Sequence, residues 1–134
     1  MRQAILKRLR ERLERLDKMF REYVVRLSRI YPKSTIVLFG SRARGNHLPY
    51  SDFDIMVITE LRNLEDKLAK AVKAYSVKPA QLSIDLLVVS GEELDDPIIL
   101  KMLKEGCIIL YDGLGIADRL AVWCKKVDKL KNQQ

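Results

Sequence analysis

The stretch that decides the fold reads Phe39-Gly40-Ser41-Arg42-Ala43-Arg44-Gly45, then Asn46 to Tyr50, then Ser51-Asp52-Phe53-Asp54. A β-branched apolar run from Thr35 to Phe39 leads into this stretch and predicts a buried strand. Gly40 ends that strand, because a glycine allows a sharp turn and lets a phosphate approach the backbone. A second strand is predicted to follow the turn, from Phe53 to Thr59.

The turn has the composition of an anion-binding site. Ser41 can cap a short helix through Arg44 and offer a hydroxyl, and the start of a helix binds anions. Arg42 and Arg44 add permanent positive charge near those backbone donors, as the orientation of a triphosphate requires. We therefore predict that phosphate contacts come from Gly40, Ser41, Arg42 and Arg44.

Three aspartates form the candidate metal site. Asp52 and Asp54 are two residues apart on a predicted strand, so their carboxylates point to the same face. Asp85 interrupts an apolar run from Ile84 to Val89, where an unpaired charge would be expensive. Clustered carboxylates repel one another and would hold protons unless a cation neutralised them. Oxygen ligands favour a hard divalent ion, and Mg²⁺ is the natural candidate.

Each part of this pattern has a plain structural alternative. A lone D-x-D pair is common, and Asp52 alone could be a turn residue ahead of a strand. The combination is much rarer, because the Gly-Ser turn, the D-x-D strand and a third aspartate in a later apolar strand must all coincide. The functional interpretation of the combined pattern is therefore preferred.

The N-terminal region predicts one long helix over residues 1–31, ended by Pro32 because proline disfavours helical geometry in the residue before it. It contains neither Gly nor Pro, and its apolar residues recur at alternating steps of three and four: Leu6, Leu9, Leu13, Leu16, Phe20, Tyr23, Leu27 and Ile30. Such a seam packs on the protein's own sheet or pairs as a coiled coil, so a homodimer through this helix stays open.

The remaining pattern alternates helices and strands. A charged helical stretch is expected from about Arg62 to Tyr75, a strand from Ser83 to Ser90, a helix from about Glu92 to Lys104 and a strand from Cys107 to Tyr111. A last apolar stripe predicts a C-terminal helix over residues 114–132 through Ile116, Leu120, Trp123, Val127 and Leu130. We expect an α/β fold, with a mixed sheet of about four strands flanked by helices.

Length and charge set limits on the class of protein. The 134 residues suit one domain over 1–134, with a core at 35–111. No apolar stretch approaches the ~20 residues of a membrane span, and the N-terminus lacks the apolar core of a secretory signal, so we expect a cytoplasmic protein. The formal charge of +7 is concentrated before Tyr31, where ten Arg or Lys face four Asp or Glu. A basic helix attracts phosphates or is merely solvated, so nucleic acid is possible but not favoured.

The sequence contains only two cysteines and one histidine, so few residues are available for cysteine or histidine chemistry. Cys107 and Cys124 lie far apart among apolar neighbours and are expected to be buried free thiols. His47 is the only histidine and is expected to be a solvated loop residue. Zinc sites and Ser/His or Cys/His catalysis are therefore not expected.

The motif resembles that of the DNA polymerase β-type nucleotidyltransferase superfamily, in which G-S, ten residues and D-x-D precede a third carboxylate. Gly40, Ser41, Asp52, Asp54 and Asp85 match it in order. The G-S-R-A-R-G version, from Gly40 to Gly45, is similar to the minimal nucleotidyltransferases, and the likeness covers about Thr35 to Tyr111.

The resemblance implies a nucleotidyltransferase fold and Mg²⁺-dependent transfer of a nucleoside monophosphate from ATP or another nucleoside triphosphate. Asp52, Asp54 and Asp85 would be catalytic and would hold two Mg²⁺ ions, and Asp85 would also activate the acceptor hydroxyl. Gly40 and Ser41 would bind the terminal phosphates, with Arg42 and Arg44 as weaker candidates for nucleotide binding.

The acceptor is not identified by the motif. Minimal nucleotidyltransferases are often paired with a helical HEPN-class protein, so the resemblance suggests an antitoxin that adenylylates such a partner. Two alternatives stay open: a non-catalytic module that binds nucleotide and neutralises a partner by contact, and an enzyme that modifies a small molecule of the antibiotic type. The base, the modified hydroxyl and the oligomeric state are not determined by the sequence.

Overall fold

The structure is a computed structural model that describes residues 2–127. Helices and strands alternate along the chain. They are α1 (Arg2–Ile30), β1 (Ser34–Phe39), α2 (Gly40–Arg44), β2 (Phe53–Thr59), α3 (Leu64–Ser76), β3 (Ile84–Val89), a 3-10 turn (Glu92–Asp95), α4 (Pro97–Lys104), β4 (Cys107–Asp112), α5 (Ala117–Leu120) and β5 (Cys124–Lys126).

The strands form one mixed sheet in the order β3-β2-β1-β4-β5. β1 lies antiparallel to both β2 and β4, while the β2–β3 and β4–β5 pairs are parallel. A parallel pair needs a crossover connection, and α3 supplies it between β2 and β3. The prediction of an α/β fold with a mixed sheet and a long N-terminal helix is confirmed, and the sheet has five strands where about four were expected.

Each face of the sheet is covered by its own apolar cluster, because side chains alternate along every strand. Phe53, Ile55 and Val57 of β2 pack under α1 and α3 in the first cluster. Met56 and Ile58 of the same strand belong to the second cluster, which contains the buried side chains of α4 and α5. By this alternation Asp54 lies on the face of the second cluster.

Only the C-terminal half of α1 is anchored to the domain. Its buried apolar side chains, Phe20, Tyr23, Val24 and Leu27, belong to the first cluster, and the Tyr23 hydroxyl donates a 2.7 Å hydrogen bond to the Ala74 carbonyl. Residues 2–12 are exposed along their whole length. Packing on the protein's own sheet therefore accounts for half of the predicted seam. Among residues 2–127 no helix combines the length and apolarity of a bilayer span.

The predicted C-terminal helix over residues 114–132 is wrong across most of its described length. A helix runs only from Ala117 to Leu120, begun by Asp112, whose carboxylate accepts hydrogen bonds from the amides of Ile116 and Ala117. The chain then forms β5, which pairs with β4 at the edge of the sheet. The part of the prediction beyond residue 127, with Leu130, lies outside the described residues.

The expectation of free thiols is also wrong, because Cys107 and Cys124 form a disulfide. They are partners in the β4–β5 register, with Cα atoms 4.5 Å apart, and both are buried. Pairing with β4 overrides the helical stripe because it offers Cys124 a backbone ladder and a covalent bond at the same position.

The helix expected from Glu92 to Lys104 is divided by Pro97. A 3-10 turn comes first, and α4 then begins after Asp96, whose side chain accepts a hydrogen bond from the Ile98 amide. Proline is favoured in the first turn of a helix and disfavours helical geometry in the residue before it, so one predicted helix becomes two.

Candidate active site

The turn after β1 is a single short helix, α2, that starts at Gly40. Gly40 has φ +73°, a conformation that glycine adopts without steric cost. The residue preceding the helix is Phe39, which offers no side-chain capping bond, so the expectation that Ser41 caps the helix is wrong. Ser41 instead lies within the first turn. Gly45 ends α2 with φ +75°, and its amide donates to the carbonyl of Arg42.

Gly40 is pressed against the carboxylate of Asp54. A Cβ atom on Gly40 would collide with Oδ2 of Asp54. The contact arises because Phe39, the last residue of β1, is paired with Asp54 in the antiparallel register. The structure thus brings together the predicted phosphate turn and the predicted metal site.

Asp54 and Asp85 are neighbours across the sheet. They are direct partners in the parallel β2–β3 register, so their side chains share one face. Asp85 is exposed, because β3 is the edge strand of the sheet. The earlier argument from the cost of a buried charge is therefore wrong for Asp85, although the strand position it identified is the right one.

Tyr75 of α3 forms a hydrogen bond with the backbone of this edge strand. The amide of Leu86, the residue after Asp85, donates a 3.0 Å hydrogen bond to the Tyr75 hydroxyl oxygen. One backbone donor of the edge strand therefore already has a partner, while the Asp85 side chain stays accessible.

Asp52 precedes β2 and is held by Ser83. The Ser83 hydroxyl donates a short hydrogen bond to Oδ1 of Asp52, and the Phe53 amide donates to the Ser83 carbonyl at 3.0 Å. Asp52 is exposed, whereas Asp54 is half-buried. The two carboxylates of the D-x-D motif thus have different surroundings.

The three carboxylates interact electrostatically. Burial raises the pKa of Asp54 above its ordinary value, and the charges of Asp85 and then Asp52 raise it further, while Arg44 lowers it. Repulsion among carboxylates that share a site disfavours their ionised forms. Among the described residues, no three His, Cys, Asp or Glu side chains form a ready-made metal-binding group.

The donor set nevertheless fits a divalent cation. Asp54 and Asp85 offer carboxylate oxygens on one face of adjacent strands. Asp52, which lies two residues before Asp54, adds a third carboxylate. A cation placed among these groups would relieve the repulsion that, in addition to burial, raises the pKa of Asp54. Oxygen ligands of this kind suit Mg²⁺.

Arg42 is a structural clamp in this arrangement. Its guanidinium donates to the carbonyls of Ser51 (2.9 Å) and Pro49 (3.1 Å) and lies 3.8 Å from the centroid of the Phe53 ring. The side chain is only 8% exposed, and burial lowers its pKa. The guanidinium of Arg42, a residue of α2, is therefore bonded to the loop that leads to Asp52, so its partners lie within the protein.

Phe53 connects this clamp to the long helix. Its ring stacks on Phe20 of α1 with centroids 4.1 Å apart and planes inclined by 11°. A stacked aromatic pair adds about 0.5–1.5 kcal/mol beyond area burial, and a desolvated cation–π contact adds about 2 kcal/mol. Phe53 is the residue between Asp52 and Asp54, so these contacts hold the start of β2, which Asp52 precedes and on which Asp54 lies.

Arg44 remains available near the carboxylates. Its side chain is 36% exposed, its nearest acidic partner is Glu105 at 3.8 Å, and its charge lowers the pKa of Asp54. Of the two predicted arginines, Arg44 is the one whose charge acts on Asp54 and whose head group is not enclosed.

Sequence reasoning did not identify Ser83, Phe20 or Phe53 as parts of the site. Ser83 could have been found, because it lies two residues before Asp85 and so shares its face of the predicted strand. The Phe20–Phe53 stack joins residues from two separate elements, and no local pattern indicates it. His47 is an exposed loop residue, as expected.

The fold and the site together are those of an enzyme that transfers nucleotides. The chain belongs to the nucleotidyltransferase domain family, whose model matches residues 6–131. This match confirms the resemblance carried by Gly40, Ser41 and the D-x-D pair. Comparison with the sequences of curated proteins found no match.

Solved structures share the fold. A protein from Sulfolobus solfataricus described as a nucleotidyltransferase is 26% identical, with 65% of this chain and 78% of that chain covered and a TM-score of 0.50. A toxin-antitoxin complex with AMP-PNP is 21% identical, with 84% and 85% covered and a TM-score of 0.53. A mutant of the toxin-antitoxin pair MntA-HpeT is 19% identical, with 84% and 85% covered and a TM-score of 0.52.

Proposed function

We propose that this single-domain protein transfers AMP from ATP to a hydroxyl group of a partner protein and releases pyrophosphate. The observation that carries the proposal is the pairing of Asp54 with Asp85 on one face, directly beside the Gly40 turn. Nucleotide and carboxylates then meet at one end of the sheet. The family match to a nucleotidyltransferase domain supports the transfer chemistry.

Phosphate binding and metal binding are assigned to different residues of the site. Gly40 and Ser41 bind the terminal phosphates at the start of α2, because Gly40 allows the turn there with φ +73° and Ser41 offers a hydroxyl, and Arg44 adds positive charge nearby. Asp52 and Asp54 are the residues that would hold Mg²⁺, with Asp85 sharing the second of two ions. Bound there, Mg²⁺ would neutralise the charge that develops on the attacking and leaving oxygens.

Asp85 accepts the proton of the acceptor hydroxyl. Its exposed carboxylate lies beside Asp54, on the strand at the edge of the sheet, where a hydroxyl can reach it. The hydroxyl oxygen forms a bond to the α-phosphorus, the bond from that phosphorus to the bridging oxygen breaks, and pyrophosphate leaves with the electron pair.

We propose a HEPN-class toxin as the acceptor. Two of the structures that share the fold are toxin-antitoxin complexes, and one of them contains AMP-PNP. A second candidate, neutralisation by contact alone, is favoured by the exposed N-terminal half of α1, which presents apolar side chains to solvent.

The two candidates are separated by a labelling experiment. The protein is incubated with ATP labelled at the α-phosphate, Mg²⁺ and the product of the adjacent gene, and label on that product is measured. We expect Asp54→Asn and Asp85→Asn to abolish transfer, and Asp118→Asn, a change to an exposed carboxylate on α5, to leave it intact. Neutralisation of the partner that survives Asp54→Asn would favour contact alone, and no label with the wild-type protein would contradict the proposal.

A further inference from the structure

The N-terminal half of α1, residues 2–16, is exposed along most of its length and is half-buried only at Leu13 and Leu16; we call it the projecting segment. Residues 2–12 are exposed without interruption, about 16 Å of helix at 1.5 Å per residue. Ile5, Leu6 and Leu9 are 56%, 61% and 39% exposed. The exposed part continues the anchored half of α1 without packing of its own, and most helical stability in proteins comes from packing of an apolar face, so this segment gains from a partner.

The exposed apolar residues form a continuous stripe. Leu6 and Leu9 continue at steps of four and three into Leu13 and Leu16, which are half-buried, and from there into the buried seam. Apolar residues at these spacings pair with the matching stripe of another helix. The geometry of the stripe therefore fits a helical partner.

The charge around the stripe indicates which kind of partner helix would bind there. The projecting segment carries six Arg or Lys against two Glu, a net charge of +4. Arg10 and Arg12 directly flank the stripe, and among the described residues no ion pair involves a basic side chain of this segment. A second copy would bring +4 against +4, whereas an acidic helix would complement it.

The segment ends beside the candidate active site. A cavity of about 200 Å³ separates its last turn and Asp17 from the loop between α2 and β2, and it is lined by Leu13, Leu16, Asp17, Arg42, His47 and Pro49. That loop leads to Asp52. A partner seated on the projecting segment is therefore held next to the strand that carries the D-x-D pair.

We propose that the projecting segment is the docking surface for an acidic amphipathic helix of the acceptor protein. This inference rests on the proposed function only in naming the docked protein as the acceptor. The leucines supply the apolar contact, and the flanking arginines select acidic partners and exclude a second copy.

The test uses a designed probe with the wild-type chain. A labelled synthetic peptide of about four heptads carries Leu at positions a and d and Glu at e and g, and a matched peptide carries Lys in place of Glu. Binding is measured by fluorescence anisotropy at low and high salt. We expect the acidic peptide to bind at least about tenfold tighter than the basic one, and less tightly as salt rises.

Matched variants locate the contact. Leu6→Gln with Leu9→Gln, and separately Arg10→Glu with Arg12→Glu, are each expected to weaken binding of the acidic peptide about tenfold or more. The control is Leu68→Gln, the same change at a leucine that is 57% exposed on α3. Loss of binding in the control, or none in the α1 variants, overturns the proposal.

Two other occupants are outcomes of the same design. A dimer in sedimentation that is lost in the Leu6→Gln, Leu9→Gln variant assigns the surface to a second copy and overturns the proposal. An RNA duplex that displaces the acidic peptide and binds the leucine variant unchanged assigns it to nucleic acid, with the same consequence. Asp54→Asn should bind the peptide like the wild type, so docking can stand where transfer fails.

Discussion

The backbone of Gly40 lies directly against the carboxylate of Asp54, with no room between them for even a methyl group. This contact joins the two halves of the motif, since Gly40 begins the predicted phosphate turn and Asp54 belongs to the D-x-D pair. The register of β1 against β2 fixes it. A side chain at position 40 would displace the carboxylate.

Replacement of this glycine should damage both stability and activity. Gly40→Ala adds a collision with Asp54 to the cost of a non-glycine residue at φ +73°, about 1–2 kcal/mol. Gly115→Ala is the matched control, because Gly115 also has φ +73° but a Cβ there would meet nothing within 4 Å. We expect Gly115→Ala to lower the free energy of unfolding in urea without a loss of AMP transfer. Gly40→Ala should lower the free energy of unfolding further and should also reduce AMP transfer in the labelling assay. Equal stability losses and equal transfer would contradict the contact.

Burial and the neighbouring carboxylates should together make Asp54 a source of instability without a cation. Because the pKa of Asp54 is raised, the folded protein loses stability as pH increases from the ordinary aspartate value through the raised one. Asp54→Asn removes that loss, so we expect the variant to melt a few degrees higher than the wild type at neutral pH without metal. The difference should shrink at acidic pH, where Asp54 is protonated.

Addition of Mg²⁺ provides the control for this interpretation. An ion bound to the folded state raises the melting temperature, and we expect Mg²⁺ to raise it for the wild type and much less for Asp54→Asn. An equal response of the two proteins would show that the ion does not act at these carboxylates.

The two arginines of the motif should respond differently to the same substitution. Arg42→Lys loses the stacking on Phe53 and bonds to two loop carbonyls, so we expect a stability loss of about 2 kcal/mol. Arg44→Lys alters a half-exposed contact with Glu105 at 3.8 Å, and we expect under about 1 kcal/mol. Chemical denaturation measures both values, and similar losses would refute the clamp.

The disulfide should stabilise the last part of the sheet. Cys107 and Cys124 are 17 residues apart, and closing a loop of this size contributes about 3 kcal/mol in the chain-entropy model. We expect a reductant to lower the free energy of unfolding by about that amount. A Cys107→Ala, Cys124→Ala double variant should be insensitive to reductant, and any response from it would point to another cause.

The sequence predicted the parts of the fold and site that depend on local order. Gly40 and Ser41 lie at the expected turn and Asp54 and Asp85 on the expected strands, with Asp52 directly before its strand, because strand alternation and glycine geometry act over a few residues. The buried half of α1 and the strands of the core followed from apolar periodicity in the same way.

The remaining features depend on contacts between distant residues. The stripe from Ile116 to Val127 has helical spacing, yet Cys124 pairs with β4 and ends the helical pattern after Leu120. The position of Arg42 is set by Phe53 and by the carbonyls of a loop that has no regular structure. Neither the disulfide nor the clamp leaves a local signal in the chain.

The position of Asp85 on the outermost strand has a consequence for the size of molecule that can reach it. The hydrogen bond from the Leu86 amide to the Tyr75 hydroxyl opposes the addition of a further strand at this edge. The side chain of Asp85 nevertheless stays exposed to solvent. A bulky folded macromolecule can therefore bring a single protruding side chain to the carboxylate laterally, without being unfolded or threaded into a tunnel.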